Sequence, residues 1–154
     1  MDLRDLYQDI ILDHARSPRN FRGLPDPSHF AHGHNPLCGD KITVFMKIEN
    51  DSIETVSFEG RGCAISTASA SLMTEILTGK TLAQAEALFA AFHARVTTGE
   101  VIDLAAELED ASDRLEPLTG VRTYPARVKC ATLAWHTFDA AVKGGVLGST
   151  VKTE

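Results

Sequence analysis

The sequence lacks the features typical of membrane, secreted and nucleic-acid-binding proteins. Its uncharged apolar runs fall well short of the roughly 20 residues that a membrane-spanning helix needs. The formal net charge is −6, whereas binding to phosphates needs a concentrated basic surface. Charged residues interrupt the first six positions, which is unlike a secretory leader. We therefore expect a cytoplasmic protein with no membrane and no nucleic acid among its partners.

Cysteine is scarce, and its number is odd. The three cysteines are Cys38, Cys63 and Cys130, and none forms a Cys-x-x-Cys pair. Thiols stay reduced in the cytoplasm, so an odd count favours metal binding or reactivity over disulfides. A chain of 154 residues buries about 68–70% of its unfolded surface, and its core needs no disulfide. No repeat, low-complexity tract or linker divides it.

Hydrophobic periodicity predicts an α+β fold in which a small antiparallel sheet, built on a β-hairpin, packs against several helices. Alternating apolar residues predict the hairpin over 42–58, with a bulge near Thr55. Before it, residues 18–39 are rich in Pro, Gly, Asn and His and predict a long loop. We expect a single domain over residues 1–143, followed by a flexible tail over 144–154.

Four longer helices and a weakly periodic acidic stretch complete the sequence-based map. The helices end before Ser17, cover 64–77, follow a capping box at Thr81, and start at Pro125. The stretch over 97–120 predicts short helical turns. The sheet and helices together place Cys63 at a helix start and Cys130 in the first turns of the last helix.

The cysteines and Asp40 are candidate metal ligands. Cys38 and Asp40 are two residues apart, so one bend of the chain can direct both at a single ion. A hairpin brings its ends together, which places the regions of Cys38 and Cys63 close in space. Zinc and iron–sulfur centres accept such a mixture of thiolates and carboxylate. From the cysteine count alone, three unrelated reduced thiols would be the simpler interpretation.

Positive charge near the cysteines favours ionised thiols. A helix N-terminus favours the anionic form of Cys63, and Arg127 and Lys129 lie in sequence beside Cys130. We expect all three thiols to ionise readily.

Each cysteine lies in a distinctive short segment. These segments are Asn-Pro-Leu-Cys-Gly-Asp at 35–40, Gly-Arg-Gly-Cys-Ala at 60–64 and Arg-Val-Lys-Cys-Ala-Thr-Leu-Ala-Trp at 127–135. They resemble the IscU/NifU-N family of iron–sulfur assembly proteins. Residues 6–20 look like the first helix of the family. The likeness extends through about Val142 and implies a SufE/NifU-like fold.

Within this family the chain looks like the SufU branch. Lys129 stands where IscU-type scaffolds carry a candidate histidine ligand, and the segment between Cys63 and Cys130 is longer than in IscU. The chaperone-docking motif of IscU is reduced to residues 124–129.

The resemblance implies a zinc-dependent sulfur carrier. Zinc would be held by the residues matching Cys38, Asp40, Cys63 and Cys130. A pyridoxal-phosphate (PLP)-dependent cysteine desulfurase of the SufS type would pass persulfide sulfur to Cys38, for delivery to an iron–sulfur scaffold or another acceptor. Arg127 would contact the partner or the anionic site. Such a protein is a sulfurtransferase that activates the desulfurase, not a stand-alone enzyme.

Two alternatives stay open at this point. In one, the same ligands hold iron in a transient [2Fe–2S] cluster that is built and handed on, and oxygen ligation by Asp40 would aid its release. In the other, zinc is purely structural and stabilises the fold. Lys129 in place of a histidine favours the carrier over the cluster scaffold.

Overall fold

The computed structural model describes residues 3–144 and 150–152. Its elements in chain order are α1 (Leu3–Arg16), β1 (His29–Asn35), β2 (Asp40–Glu49), β3 (Ser52–Arg61), α2 (Ala64–Leu77), α3 (Leu82–Thr97), α4 (Glu109–Asp113), α5 (Pro125–Gly144) and β4 (Thr150–Lys152). Two 3-10 segments flank α4, at Ala106–Leu108 and Glu116–Thr123. The architecture confirms the predicted α+β class.

The sheet has the strand order β3-β2-β1-β4. Neighbours among β1, β2 and β3 are antiparallel, and β4 pairs with β1 in parallel. Lys47 pairs with Thr55 and Ile48 with Ile53, which leaves Glu54 as an extra residue. This confirms the bulge predicted near Thr55. The bulge explains how Ile53 and Val56 can both be buried although they are three residues apart.

Strand β1 is a correction to the sequence-based map. Residues 29–35 fall inside the predicted loop over 18–39, yet they pair with β2 along their whole length. Their sequence, His-Phe-Ala-His-Gly-His-Asn, has only two apolar side chains and no apolar alternation. The strand is therefore specified by its hydrogen bonds to β2, which periodicity cannot detect.

The C-terminal segment contains one short strand. Helix α5 runs to Gly144, and Thr150–Lys152 pairs in parallel with His32–His34. Residues 145–149 and 153–154 lie outside the described residues, and the flexible tail over 144–154 stays a prediction.

The longer helices begin and end close to the predicted positions. Cys63 is the N-cap of α2, and Thr81 forms the capping box of α3 with Gln84. Pro125 is the first residue of α5. Between α3 and α5 the chain forms short helical turns, as predicted. Among the described residues, no helix combines the length and the apolar character needed to cross a membrane.

The core lies between the sheet and the helices α2 and α5. The inward side chains of β2 alternate with period two, and Ile42, Val44 and Met46 are all buried. Trp135 and Phe138 of α5 are also fully enclosed. Each such side chain stabilises the fold by about 1.5–3 kcal/mol. Helix α1 packs on α2, and α3 lies beside α5, so α2 and α5 form the central helical layer.

Candidate metal centre

Strand register turns Asp40 towards the core. Asp40 is the first residue of β2 and has the same parity as Ile42 and Val44, so its side chain lies on their inward face. Its cross-strand partner is Asn35, the last residue of β1, which is also buried. Two polar side chains therefore lie side by side at the end of the apolar core.

Cys38 lies in the turn between these two residues. The turn covers residues 36–39, and Cys38 is exposed. Gly39 has φ +72°, a conformation that favours glycine, and its N–H donates to the carbonyl oxygen of Asn35 at 2.8 Å. The sequence-based map put Cys38 in a loop ahead of the first strand. The structure places it instead at the tip of a β1–β2 hairpin.

Cys63 follows β3 and caps α2. Its side chain accepts a hydrogen bond from the Ser66 N–H at 3.4 Å. Its own N–H donates to Asp40 Oδ1 at 2.9 Å, and its Sγ lies 4.0 Å from Asp40 Oδ2. The start of α2 is thereby tied to the start of β2.

Cys130 comes from the inward stripe of α5. Cys130, Ala134 and Phe138 recur every four residues, and all three are buried. The Cys130 Sγ lies 3.3 Å from the Cys38 Sγ. The helix therefore places a fully buried sulfur against the exposed thiol of the hairpin turn.

These residues form one cluster of potential ligands. Ligand atoms of Cys38, Asp40 and Cys130 all lie within 4.8 Å of one another, and the Cys63 Sγ adjoins them through Asp40. Three sulfurs and a carboxylate match the donors that zinc accepts in tetrahedral sites. A glycine at position 62 also suits this arrangement. Any larger residue would place its Cβ 2.7 Å from Asp40 Oδ1, which is too close for the carboxylate to stay where it is. The donor set is compatible with zinc, and its role as a metal site stays a prediction.

Burial changes the electrostatics expected for Cys130. Desolvation raises the pKa of the Cys130 thiol, and the hydrogen bond to Cys38 and the neighbouring Cys63 act in the same direction. The expectation that all three thiols ionise readily is therefore wrong for Cys130. Arg127 is exposed, and the net shift of the Cys130 pKa remains upward. A coordinated divalent cation, in contrast, deprotonates a thiol outright.

Arg127 is near all three thiols. The pKa of its guanidinium is raised first by a hydrogen bond with Cys130, and then by the charges of Cys63, Cys130 and Cys38. Arg127 also lines a groove of about 910 Å³ that reaches Cys63 and lies between α1 and the 3-10 segment Glu116–Thr123. The site therefore has one cationic side chain at its open edge.

Two further residues of the site were not assigned roles from the sequence. Asn35 belongs to the motif at 35–40, but only the strand pairing shows that its amide faces Asp40. Gly62 belongs to the motif at 60–64, but only the structure shows that the Asp40 carboxylate lies close to it. Asn35 and Asp40 are only five residues apart, but they face each other because β1 pairs with β2, and the Gly62 contact joins two different strand ends.

Comparison with known proteins identifies the family. The model described as the NifU-like N terminal domain matches residues 6–131. The chain belongs to this family. The match to the NifU-like family includes all four candidate ligands and Arg127.

Similarity to individual members extends beyond the family model. The zinc-dependent sulfurtransferase SufU of Bacillus subtilis is 40% identical over 141 residues, which cover 92% of each chain. The iron–sulfur cluster assembly scaffold protein IscU of Streptococcus pyogenes is 38% identical over 141 residues, or 92% of this chain and 85% of that protein. A solved structure from Fervidobacterium islandicum, named as a candidate iron–sulfur cluster assembly scaffold for the SUF system, is 29% identical with a TM-score of 0.80. It covers 92% of this chain and 99% of that one.

Proposed function

We propose that this protein is a zinc-dependent sulfur acceptor in iron–sulfur cluster assembly, working with a PLP-dependent cysteine desulfurase in the cytoplasm. The name of the B. subtilis relative supports the zinc and the sulfur transfer. The observation that carries the proposal is the contrast within the sulfur pair. Cys38 is exposed on a hairpin turn, and the Cys130 sulfur 3.3 Å away is fully buried.

The four ligands have different tasks in this proposal. Bound zinc keeps its coordinating thiols deprotonated and excludes redox chemistry at the metal. Asp40, Cys63 and Cys130 remain at the site, since strand register, helix capping and the core fix their backbones. Cys38 would be the ligand that is free to reach a partner, because only the turn at 36–39 has to move.

The sulfur transfer is a thiol exchange. The Cys38 thiolate attacks the terminal sulfur of the persulfide on the desulfurase, and a new S–S bond forms on Cys38. The S–S bond of the desulfurase breaks, and its cysteine leaves as a thiolate. Electrons balance without an external oxidant or reductant. The Cys38 persulfide is then the donor for an iron–sulfur scaffold or another sulfur acceptor.

Arg127 contributes at the open edge of the site. Its guanidinium lies close enough to the thiols for their charges to raise its pKa. A persulfide approaching Cys38 is anionic, and a cation beside its path lowers the electrostatic cost of bringing two anions together. We assign Arg127 this steering role.

A transient [2Fe–2S] scaffold is the second candidate function. The S. pyogenes relative supports it by name at 38% identity. The same donor atoms would then hold iron as cargo. Lys129 in place of a histidine favours the carrier, because the scaffold branch would lose a nitrogen ligand there.

The first experiment is elemental analysis with a visible spectrum, on protein purified without added metal. One zinc per chain in a colourless protein supports the carrier. Iron and sulfide with thiolate-to-iron absorption would replace the carrier by the scaffold.

The second experiment follows sulfur on Cys38. The protein is incubated with a cysteine desulfurase and cysteine, and the peptide containing Cys38 is analysed by mass spectrometry for one added sulfur. We expect the added sulfur and faster desulfurase turnover in the wild type, and neither in Cys38→Ala. Leu37→Ala is the matched control, since Leu37 is exposed in the same turn. Unchanged stimulation by Cys38→Ala would disprove the carrier mechanism.

A further inference from the structure

A buried amide lies directly behind two of the candidate ligands. Asn35 is the last residue of β1, and its exposed fraction is 0%. Its Nδ2 lies 3.4 Å from Asp40 Oδ2 and 3.4 Å from Cys130 Sγ. The amide therefore joins a strand ligand to a helix ligand that is 95 residues away in sequence.

The orientation of this amide is fixed by a third hydrogen bond. The Leu37 N–H donates to Asn35 Oδ1 at 3.3 Å, so the oxygen side of the amide faces the turn backbone. The two N–H bonds of Nδ2 then point to the site, with one acceptor for each. Turned by 180°, the amide would place its oxygen against the Asp40 carboxylate and its NH₂ group against the Leu37 N–H.

Asp40 receives donors on both carboxylate oxygens. Oδ1 accepts from the Cys63 N–H at 2.9 Å, and Oδ2 accepts from Asn35. These two bonds determine how the carboxylate is rotated towards the sulfurs. Cys38 is different, because it lies exposed in the turn, and its Sγ lies 3.3 Å from the Cys130 Sγ.

We propose that Asn35 is a positioning residue that keeps Asp40 and Cys130 in place on the zinc ion when Cys38 leaves it. The inference rests on the proposed function, in which three ligands retain the metal during sulfur transfer. Hydrogen bonds to the ligands of a metal orient them and tune their donation, and losing one typically lowers metal affinity by about 10–100-fold. The effect of Asn35 should be greatest when only three ligands remain.

The test measures zinc affinity by competition with a chromophoric chelator. The variants are Asn35→Leu, Cys38→Ala and the double variant, where Leu has the same branching and number of side-chain heavy atoms as Asn and lacks its N–H groups. We expect Asn35→Leu to lower the affinity at least about tenfold, and to lower it further in the Cys38→Ala background. Asn35→Gln, which retains the amide, should recover part of the loss.

A matched asparagine controls for general destabilisation. The Asn20 side chain donates to Thr74 Oγ1 at 3.0 Å, between the end of α1 and α2, and Asn20→Ala should leave zinc affinity unchanged. Cobalt(II) provides a second readout. Losing a hydrogen bond to the Cys130 sulfur should shift the sulfur-to-cobalt charge-transfer band to lower energy in Asn35→Leu, and not in Asn20→Ala. If Asn35→Leu does not fold, Asn35→Ala decides by the same two readouts.

The outcomes separate this inference from the proposed function. If Asn35→Leu keeps wild-type affinity and an unshifted cobalt band, the role of Asn35 is wrong, whatever Cys38→Ala does. If the single variant Cys38→Ala loses its zinc, the three-ligand carrier is wrong. The role of Asn35 is then judged by the zinc affinity and cobalt band of Asn35→Leu. If Cys38→Ala retains zinc and the double variant releases it, both are supported.

Discussion

The two sides of the site differ in how they are held. Cys38 lies in a turn whose neighbouring Leu37 is 64% exposed, and few packed atoms would move with it. Asp40 and Cys130 are 0% exposed and continue the inward faces of β2 and α5. A ligand can leave at low cost only where it is not part of the core. The fold therefore places one potential ligand, Cys38, where it can move, and holds Asp40 and Cys130 in the core.

We call Asp40 and Cys130 the retained side of the site, and the turn with Cys38 the mobile side. The largest expected effect comes from Asp40→Ala on the retained side. The change removes a candidate ligand and the acceptor of the Cys63 N–H bond. Zinc affinity should fall by more than about 100-fold, beyond the range typical of residues that only orient ligands. Chelator competition measures it, with Asp9→Ala on the exposed face of α1 as control. Retained affinity would show that Asp40 is not a ligand.

Gly62→Ala tests the same side through packing. The new Cβ would come 2.7 Å from Asp40 Oδ1, so the carboxylate must move from its bond with Cys63. We expect zinc affinity to fall about tenfold, and the free energy of unfolding to fall by about 1–3 kcal/mol.

Gly120→Ala is the control for Gly62→Ala, because nothing lies within 4 Å of a Cβ there. Chemical denaturation and chelator competition measure the two quantities. Equal effects of the two substitutions would contradict the role given to Gly62.

Gly39→Ala probes the mobile side and should act on stability rather than on metal. A Cβ meets nothing within 4 Å, but φ is +72°, which costs an L-residue about 1–2 kcal/mol. The free energy of unfolding should fall by about that amount, with zinc affinity within about threefold of the wild type. An affinity loss as large as that of Gly62→Ala would remove the distinction between the two sides.

Arg127→Gln should have the smallest effect on the site itself. Arg127 is exposed and is expected to steer the partner, so zinc affinity should fall less than in Asn35→Leu. The rate of sulfur transfer to Cys38 should fall severalfold and depend less on salt, because screening acts on the charge that was removed. Arg16→Gln, on the exposed end of α1, is the control. A rate unaffected by Arg127→Gln would contradict the steering role.

Much of the fold was predictable because its signals are local. The N-cap at Cys63, the capping box at Thr81 and Pro125 at the start of α5 are each specified within a few residues. The bulge near Thr55 followed from the shift in alternation along one strand. Strand β1 was missed, since its polar sequence becomes a strand only through pairing with β2.

The candidate site, like the fold, was only partly predictable from the sequence. The motifs around Cys38, Cys63 and Cys130 named the four potential ligands, because the residue types that bind zinc are few. The raised pKa of Cys130 and the amide of Asn35 were not accessible, since both depend on burial between segments far apart in sequence.

The sequence by itself determined the longer helices, the β2–β3 hairpin and the identity of the potential ligands, because short-range periodicity, capping and motif chemistry specify them. Only the tertiary structure decided which ligand is exposed and which are buried. The buried residues Asn35, Asp40 and Cys130 lie where the inward faces of β1, β2 and α5 meet, and all three are shielded from water there. Burial is a property of the assembled core, and no single segment carries it.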